Sequence, residues 1–156
     1  MKRFTYWPQL FLGITFNYGI ILGWTAIKEQ IDIIPLILYF GAIFWTLGYD
    51  TVYGYQDIKD DEVIGLKSTS IKFKNYSTLF IFLCYLFLIF SIYLVGYLSE
   101  FNNYFYIFMI LPIIQIFYYQ VKAFDSKNPT KCLKIFKSNN FFGSLIFINI
   151  LIGKIF

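Results

Sequence analysis

GYDTVYGYQDIKDDEVIGLKSTS, residues 48–70, sits where an uncharged run ends and charge begins, and the rest of the chain is read from it. It places Asp50, Asp57, Asp60 and Asp61, four of the nine acids, in a protein that is 58% hydrophobic and only 14% charged. At about 100° per residue on one continuous helix, Asp50, Asp57 and Asp61 fall within an arc of roughly 40°, with Tyr53 and Asp60 on its flank. Carboxylates gathered this closely beside hydrocarbon repel one another unless a cation neutralises them. Mg²⁺ does so with one or two carboxylates and the oxygens of a phosphate substrate. The bland alternative is a solvated acidic loop paired with Lys59, Lys67, Lys72 and Lys74. Periodic placement at a membrane boundary weighs against it.

Outward from that stretch the chain is apolar. Residues 8–27 and 76–99 carry no charge, and each is long enough for the roughly 20 residues that cross a bilayer. Residues 33–49 and 104–121 are shorter spans. Residues 141–153 form either a short fifth one that relies on snorkelling at its ends or a helix packed within a larger bundle. With 24% aromatics and no histidine, the expected fold is all-α, a polytopic transmembrane bundle in one membrane domain over residues 1–156. Pro112 is expected to kink the fourth span, and Gly19 and Gly23 to serve ordinary helix packing.

The basic residues orient the bundle. Eleven of the thirteen, in residues 2–3, 59–74 and 122–137, would share one side, leaving Lys28 and Lys154 on the other. Lysine and arginine accumulate on the cytoplasmic side. The expectation is therefore an integral membrane protein, of a bacterial inner membrane, with the acidic stretch and a 122–137 loop facing the cytoplasm. The net charge of +4 is accounted for by topology, so no nucleic-acid partner is expected. Cys84, within a span, and Cys132, within the loop, have no metal-ligand spacing and are expected to be unpaired. Without histidine, imidazole triads and histidine-ligated zinc sites are excluded. The first apolar stretch is too long for a secretory signal and lacks a cleavage site.

Residues 49–70 resemble the second aspartate-rich motif of the UbiA superfamily of membrane prenyltransferases, and within it the 4-hydroxybenzoate polyprenyltransferases of ubiquinone biosynthesis. Tyr49, Asp50, Tyr53, Asp57, Asp60, Asp61, Gly65, Lys67, Ser68 and Thr69 carry the match. Lys2-Arg3-Phe4-Thr5, Pro8-Gln9 and Gly13 are similar to the family's KRxTxxPQxxLG segment. The resemblance covers essentially the whole chain. It implies about five of some nine helices, the C-terminal half, without the earlier NDxxDxxxD motif.

What the resemblance implies chemically is prenyl transfer from a polyprenyl diphosphate to the ring carbon ortho to the hydroxyl of 4-hydroxybenzoate. Asp57 and Asp61, then Asp50, with Asp60 ranked below them, would hold Mg²⁺. Lys67 would contact the diphosphate, Arg3 with Lys2 the benzoate carboxylate, and Tyr49 and Tyr53 the isoprenoid cation. The partners implied are those two substrates, the lipid bilayer and a missing N-terminal half, without which the chain is expected to be inactive. Competing readings are a related enzyme with a naphthoate or homogentisate acceptor, a non-catalytic truncated relic, and a transporter or channel subunit with acids along an ion path.

Overall fold

The computed structural model describes residues 1–155; their regular elements are all helices, with no strand among them. Five segments are long and apolar enough to cross a membrane: Pro8–Lys28, Ile33–Tyr53, Lys74–Leu98, Asn103–Val121 and Pro129–Ile155. The protein is a polytopic membrane bundle.

The first span is two helices, α1 (Pro8–Phe16) and α2 (Gly19–Lys28). Pro8 occupies the first turn, where its missing N–H costs nothing. At the break, Asn17 Nδ2 donates to Gly13 O at 2.8 Å and to Thr46 Oγ1 of the second span at 2.8 Å. The amide satisfies the frayed end and fastens it to the next span. The Gly19 and Gly23 spacing does not pack here, since nothing lies within 4 Å of a Cβ at either position.

Helix α3 (Ile33–Tyr53) is the centre of the bundle, packing most extensively on α6 (Ser77–Leu98) and also on α1 and α9 (Pro129–Ile155). Small residues allow that close α3–α6 crossing, because helices in lipid associate through contact and not through a hydrophobic drive. A Cβ on Gly48 would stand 2.6 Å from the Tyr85 ring.

The fourth span is broken into short segments around Pro112. Helices α7 (Asn103–Phe108) and α8 (Ile110–Ile113) lead into a wider π-helix over Ile114–Val121. Proline removes one N–H from the ladder and crowds the preceding turn, and π-turns are where such a ladder is relieved. Side-chain amides hold the widened segment in place. Tyr85 OH donates to Gln120 Oε1 at 3.0 Å, Gln120 Nε2 to Gln115 Oε1 at 3.1 Å, and Gln115 Nε2 to Ser138 O of α9 at 3.3 Å.

The fifth span corrects the sequence expectation. It is one helix of 27 residues from Pro129, so Lys131, Lys134 and Lys137 lie on its first turns and not in a loop. Cys132 is likewise helical, and both cysteines are free and buried. Exposed lysines lengthen a helix beyond its apolar core, which a search for uncharged runs cannot see.

The two ends of the bundle are distinct. Tyr55, Lys59 and Asp60 share one cavity with Ser126, Lys127 and Pro129, while Lys28, Ser99 and Lys154 line another. Residues 55–60 and 126–129 therefore meet at one end, and Lys28 and Lys154 at the other.

Candidate functional site

The acidic stretch is not one helix. Helix α3 ends at Tyr53, residues 54–57 turn, and α4 (Ile58–Val63) starts anew. The single helical face expected for Asp50, Asp57 and Asp61 therefore does not exist. The break has a packing cause. Ser70 Oγ donates to Thr51 O at 2.8 Å, and its side chain fills the space a Cβ on Gly54 would need. A second glycine closes α4: Gly65 has φ +76°, and Leu66 N donates to Asp61 O at 2.8 Å in a glycine-terminated helix end.

Beyond that turn, α5 (Thr69–Lys72) is capped by Ser68, whose Oγ accepts from Ile71 N at 3.3 Å. This segment is buried through polar contacts. Thr51 Oγ1 and Thr69 Oγ1 are 2.6 Å apart, and Tyr55 OH donates to Ser70 O at 3.1 Å. Burial pushes the Tyr55 hydroxyl up, so it remains a neutral donor.

The N-terminal segment docks onto this platform. Gln9 Oε1 accepts from Thr69 N at 3.1 Å, Lys67 N donates to Lys2 O at 2.7 Å, and Lys2 Nζ donates to Asp61 Oδ2 at 2.9 Å. Lys72 Nζ lies 4.3 Å from the Trp7 ring centroid. Two motifs some sixty residues apart thus form one unit at one end of the bundle.

The candidate residues separate as follows. Asp50 is half-buried on the last turn of α3, within electrostatic reach of Lys2. Asp61 is buried and neutralised by Lys2, whereas Asp57 and Asp60 are exposed and carry no ion pair among the described residues. Asp60 lines the cavity of about 570 Å³ that also holds Lys59 and Lys127. Tyr53 is exposed, its ring 4.7 Å from Phe136 of α9, and Tyr49 packs on the same phenylalanine at 5.7 Å. Lys67 is half-buried, its ammonium 5.5 Å from the Tyr6 ring, and Arg3 is exposed. Lys74 pairs with Glu62 at 2.7 Å, outside the candidate set.

Lys2, Asp50, Asp61 and Lys67 are thus drawn together, while Asp57 and Asp60 stand on the turn and helix beyond. No three His, Cys, Asp or Glu residues among those described converge closely enough to hold a metal ion. The donors are nevertheless hard oxygens, of which Mg²⁺ needs one or two when phosphate and water complete its shell. They fit a metal shared with a phosphate substrate and not a closed protein cage. Gln9, Thr51, Thr69 and Ser70 hold the unit together and were not singled out as candidates. Gln9 and Thr69 stand within the matched motifs, whereas Thr51 and Ser70 are marked only by burial of polar groups, which a linear pattern does not carry.

Residues 1–148 match the family model described as the UbiA prenyltransferase family. The chain is 40% identical to the mitochondrial 4-hydroxybenzoate polyprenyltransferase of Bos taurus, over 99% of this chain and 42% of that protein. It is 38% identical to 4-hydroxybenzoate geranyltransferase 2 of Lithospermum erythrorhizon, over 100% and 51%. Against the 4-hydroxybenzoate octaprenyltransferase of Pasteurella multocida the identity is 36%, over 100% and 53%. The chain thus spans about half the length of these curated relatives. No solved structure matches it.

Proposed function

We propose that this chain, which belongs to the UbiA prenyltransferase family, carries the second acidic motif of an enzyme that prenylates 4-hydroxybenzoate with a polyprenyl diphosphate, in ubiquinone biosynthesis. The observation that supports this reading best is the joining of Lys2–Gln9 to Asp61–Ser70 at one end of the bundle. Relatives named for 4-hydroxybenzoate align over nearly the whole chain. The proposed setting is a bacterial inner membrane, with this end in the cytoplasm.

In the proposed reaction the allylic C–O bond breaks, and its electron pair leaves with the diphosphate. The ring carbon ortho to the hydroxyl forms the new C–C bond and loses its proton. Asp57 and Asp50 would hold Mg²⁺, with Asp61 and Asp60 as further carboxylates of the same motif, and the metal would supply positive charge against the departing diphosphate. Lys67, anchored through its backbone to Lys2, adds a cation for the diphosphate. Arg3 offers a planar fork that matches the benzoate carboxylate in a way a lysine cannot. Lys2, engaged by Asp61, acts on the carboxylates more than on the acceptor. Tyr49 and Tyr53, braced by Phe136, present π-faces to the isoprenoid cation. A further set of carboxylates, implied by the resemblance for an earlier part of such an enzyme, is proposed to be required together with this one.

The test is prenyl transfer in membranes carrying these residues, with and without a co-expressed N-terminal segment from a relative. The substrates are 4-hydroxybenzoate, a polyprenyl diphosphate and Mg²⁺. Product only with both segments, and lost in Asp57→Ala, is expected. No product from the combined segments, or transfer only to a naphthoate or homogentisate, would refute the assignment.

A further inference from the structure

On α9, Phe136, Asn140, Gly143 and Phe147 lie on one face, with Phe136 against Tyr49 and Tyr53. At 100° per residue, Lys134, Ser138, Phe141 and Leu145 point roughly 160° away from it. This second face borders the π-helix. A cavity of about 770 Å³ there is lined by Lys131, Lys134 and Lys137 together with Tyr119. A second cavity of about 520 Å³ continues from it along Ile114, Tyr118, Phe141 and Leu145. Tyr119 and Ser138 border both, so the two form one groove with a cationic head and an apolar stem. No Asp or Glu lines either part.

We propose that this groove binds an anionic phospholipid, with its phosphate among the three lysines and an acyl chain along the π-helix. The charge argues for it directly. Three exposed ammonium groups on successive turns, with no carboxylate between them, repel one another unless an anion is present. They stand at the end of two spans, at headgroup level, where basic pockets between helices take anionic lipid headgroups. Tyr118 and Tyr119 are 63% and 65% exposed, as tyrosines at a membrane interface are. Lys122 Nζ, 4.6 Å from the Tyr118 ring, adds a fourth cation at the rim. The motif residues approach the opposite face of α9, so this groove is separate from the proposed diphosphate site.

The experiment is native mass spectrometry of the 156-residue chain in neutral detergent, with equal phosphatidylglycerol and phosphatidylcholine of matched acyl chains. The wild type is expected to retain phosphatidylglycerol in preference by about tenfold or more at low salt. In Lys131→Gln/Lys134→Gln/Lys137→Gln the ratio should fall to about one. Leu145→Trp fills the stem, keeps every lysine and should reduce retention of phosphatidylglycerol on its own, which protects the test if the triple variant misfolds. Equal retention of both lipids by the wild type, or an unchanged ratio in the triple variant, overturns the proposal. Displacement of the lipid by inorganic phosphate alone would mean a bare anion site and also overturns it. A photo-crosslinker at Phe141 in native membranes should yield a lipid adduct; a protein adduct would mean that another chain covers the groove.

Discussion

Lys2 Nζ stands 2.9 Å from Asp61 Oδ2, so a residue at the very start of the sequence neutralises a carboxylate of the acidic stretch 59 positions away. The Asp61 side chain is 11% exposed and that of Lys2 is 49% exposed. Solvent at the lysine end limits the pair to about 1 kcal/mol or less. A double-mutant cycle of Lys2→Ala and Asp61→Asn, read by thermal unfolding in detergent, should give a coupling of that size. A coupling indistinguishable from zero would make the pair incidental to the docking of the N-terminal segment.

Gln9→Leu tests the other tether. It leaves the buried Thr69 N–H without its acceptor, at a cost of about 1–3 kcal/mol. The expected result is a lower unfolding temperature together with faster proteolysis near residues 1–9. An unaltered cleavage rate would show that Gln9 does not hold the segment down.

Asp57 is exposed, and its side chain caps nothing although it precedes α4. Asp57→Ala should therefore leave thermal stability within about 0.5 kcal/mol while abolishing prenyl transfer in the assembled enzyme. Asp60→Ala should be the milder of the two. Loss of stability and activity in parallel would assign Asp57 a structural role and count against metal binding.

Gly48→Val addresses the bundle itself. The Cβ would meet the Tyr85 ring, and overpacking of this kind costs about 1–3 kcal/mol. A substantial drop in unfolding temperature is expected, with Gly19→Val as a control that changes little. Equal effects at the two glycines would contradict the α3–α6 crossing described above.

The membrane bundle was legible from sequence because hydropathy acts locally: a bilayer selects uncharged runs of a set length, and residues 8–27 and 76–99 announce themselves. The identity of the motif was legible for a related reason. Its residues are contiguous, and the spacing of Asp50 through Thr69 is itself the signal. What failed was the step from spacing to direction. A helical wheel assumes an unbroken helix, but Ser70, reached only after the chain turns back, occupies the space beside Gly54. The same long-range packing joined Lys2 to Asp61 and Gln9 to Thr69, contacts that no local pattern encodes. Helix α9 likewise starts at Pro129, ahead of its apolar core, and so carries three lysines onto a helix face beside the π-helix. Sequence by itself determined the solvent each segment must meet and the chemistry it carries. Tertiary structure alone decided which side chains face one another, because that depends on backbone turns set by partners distant in the chain.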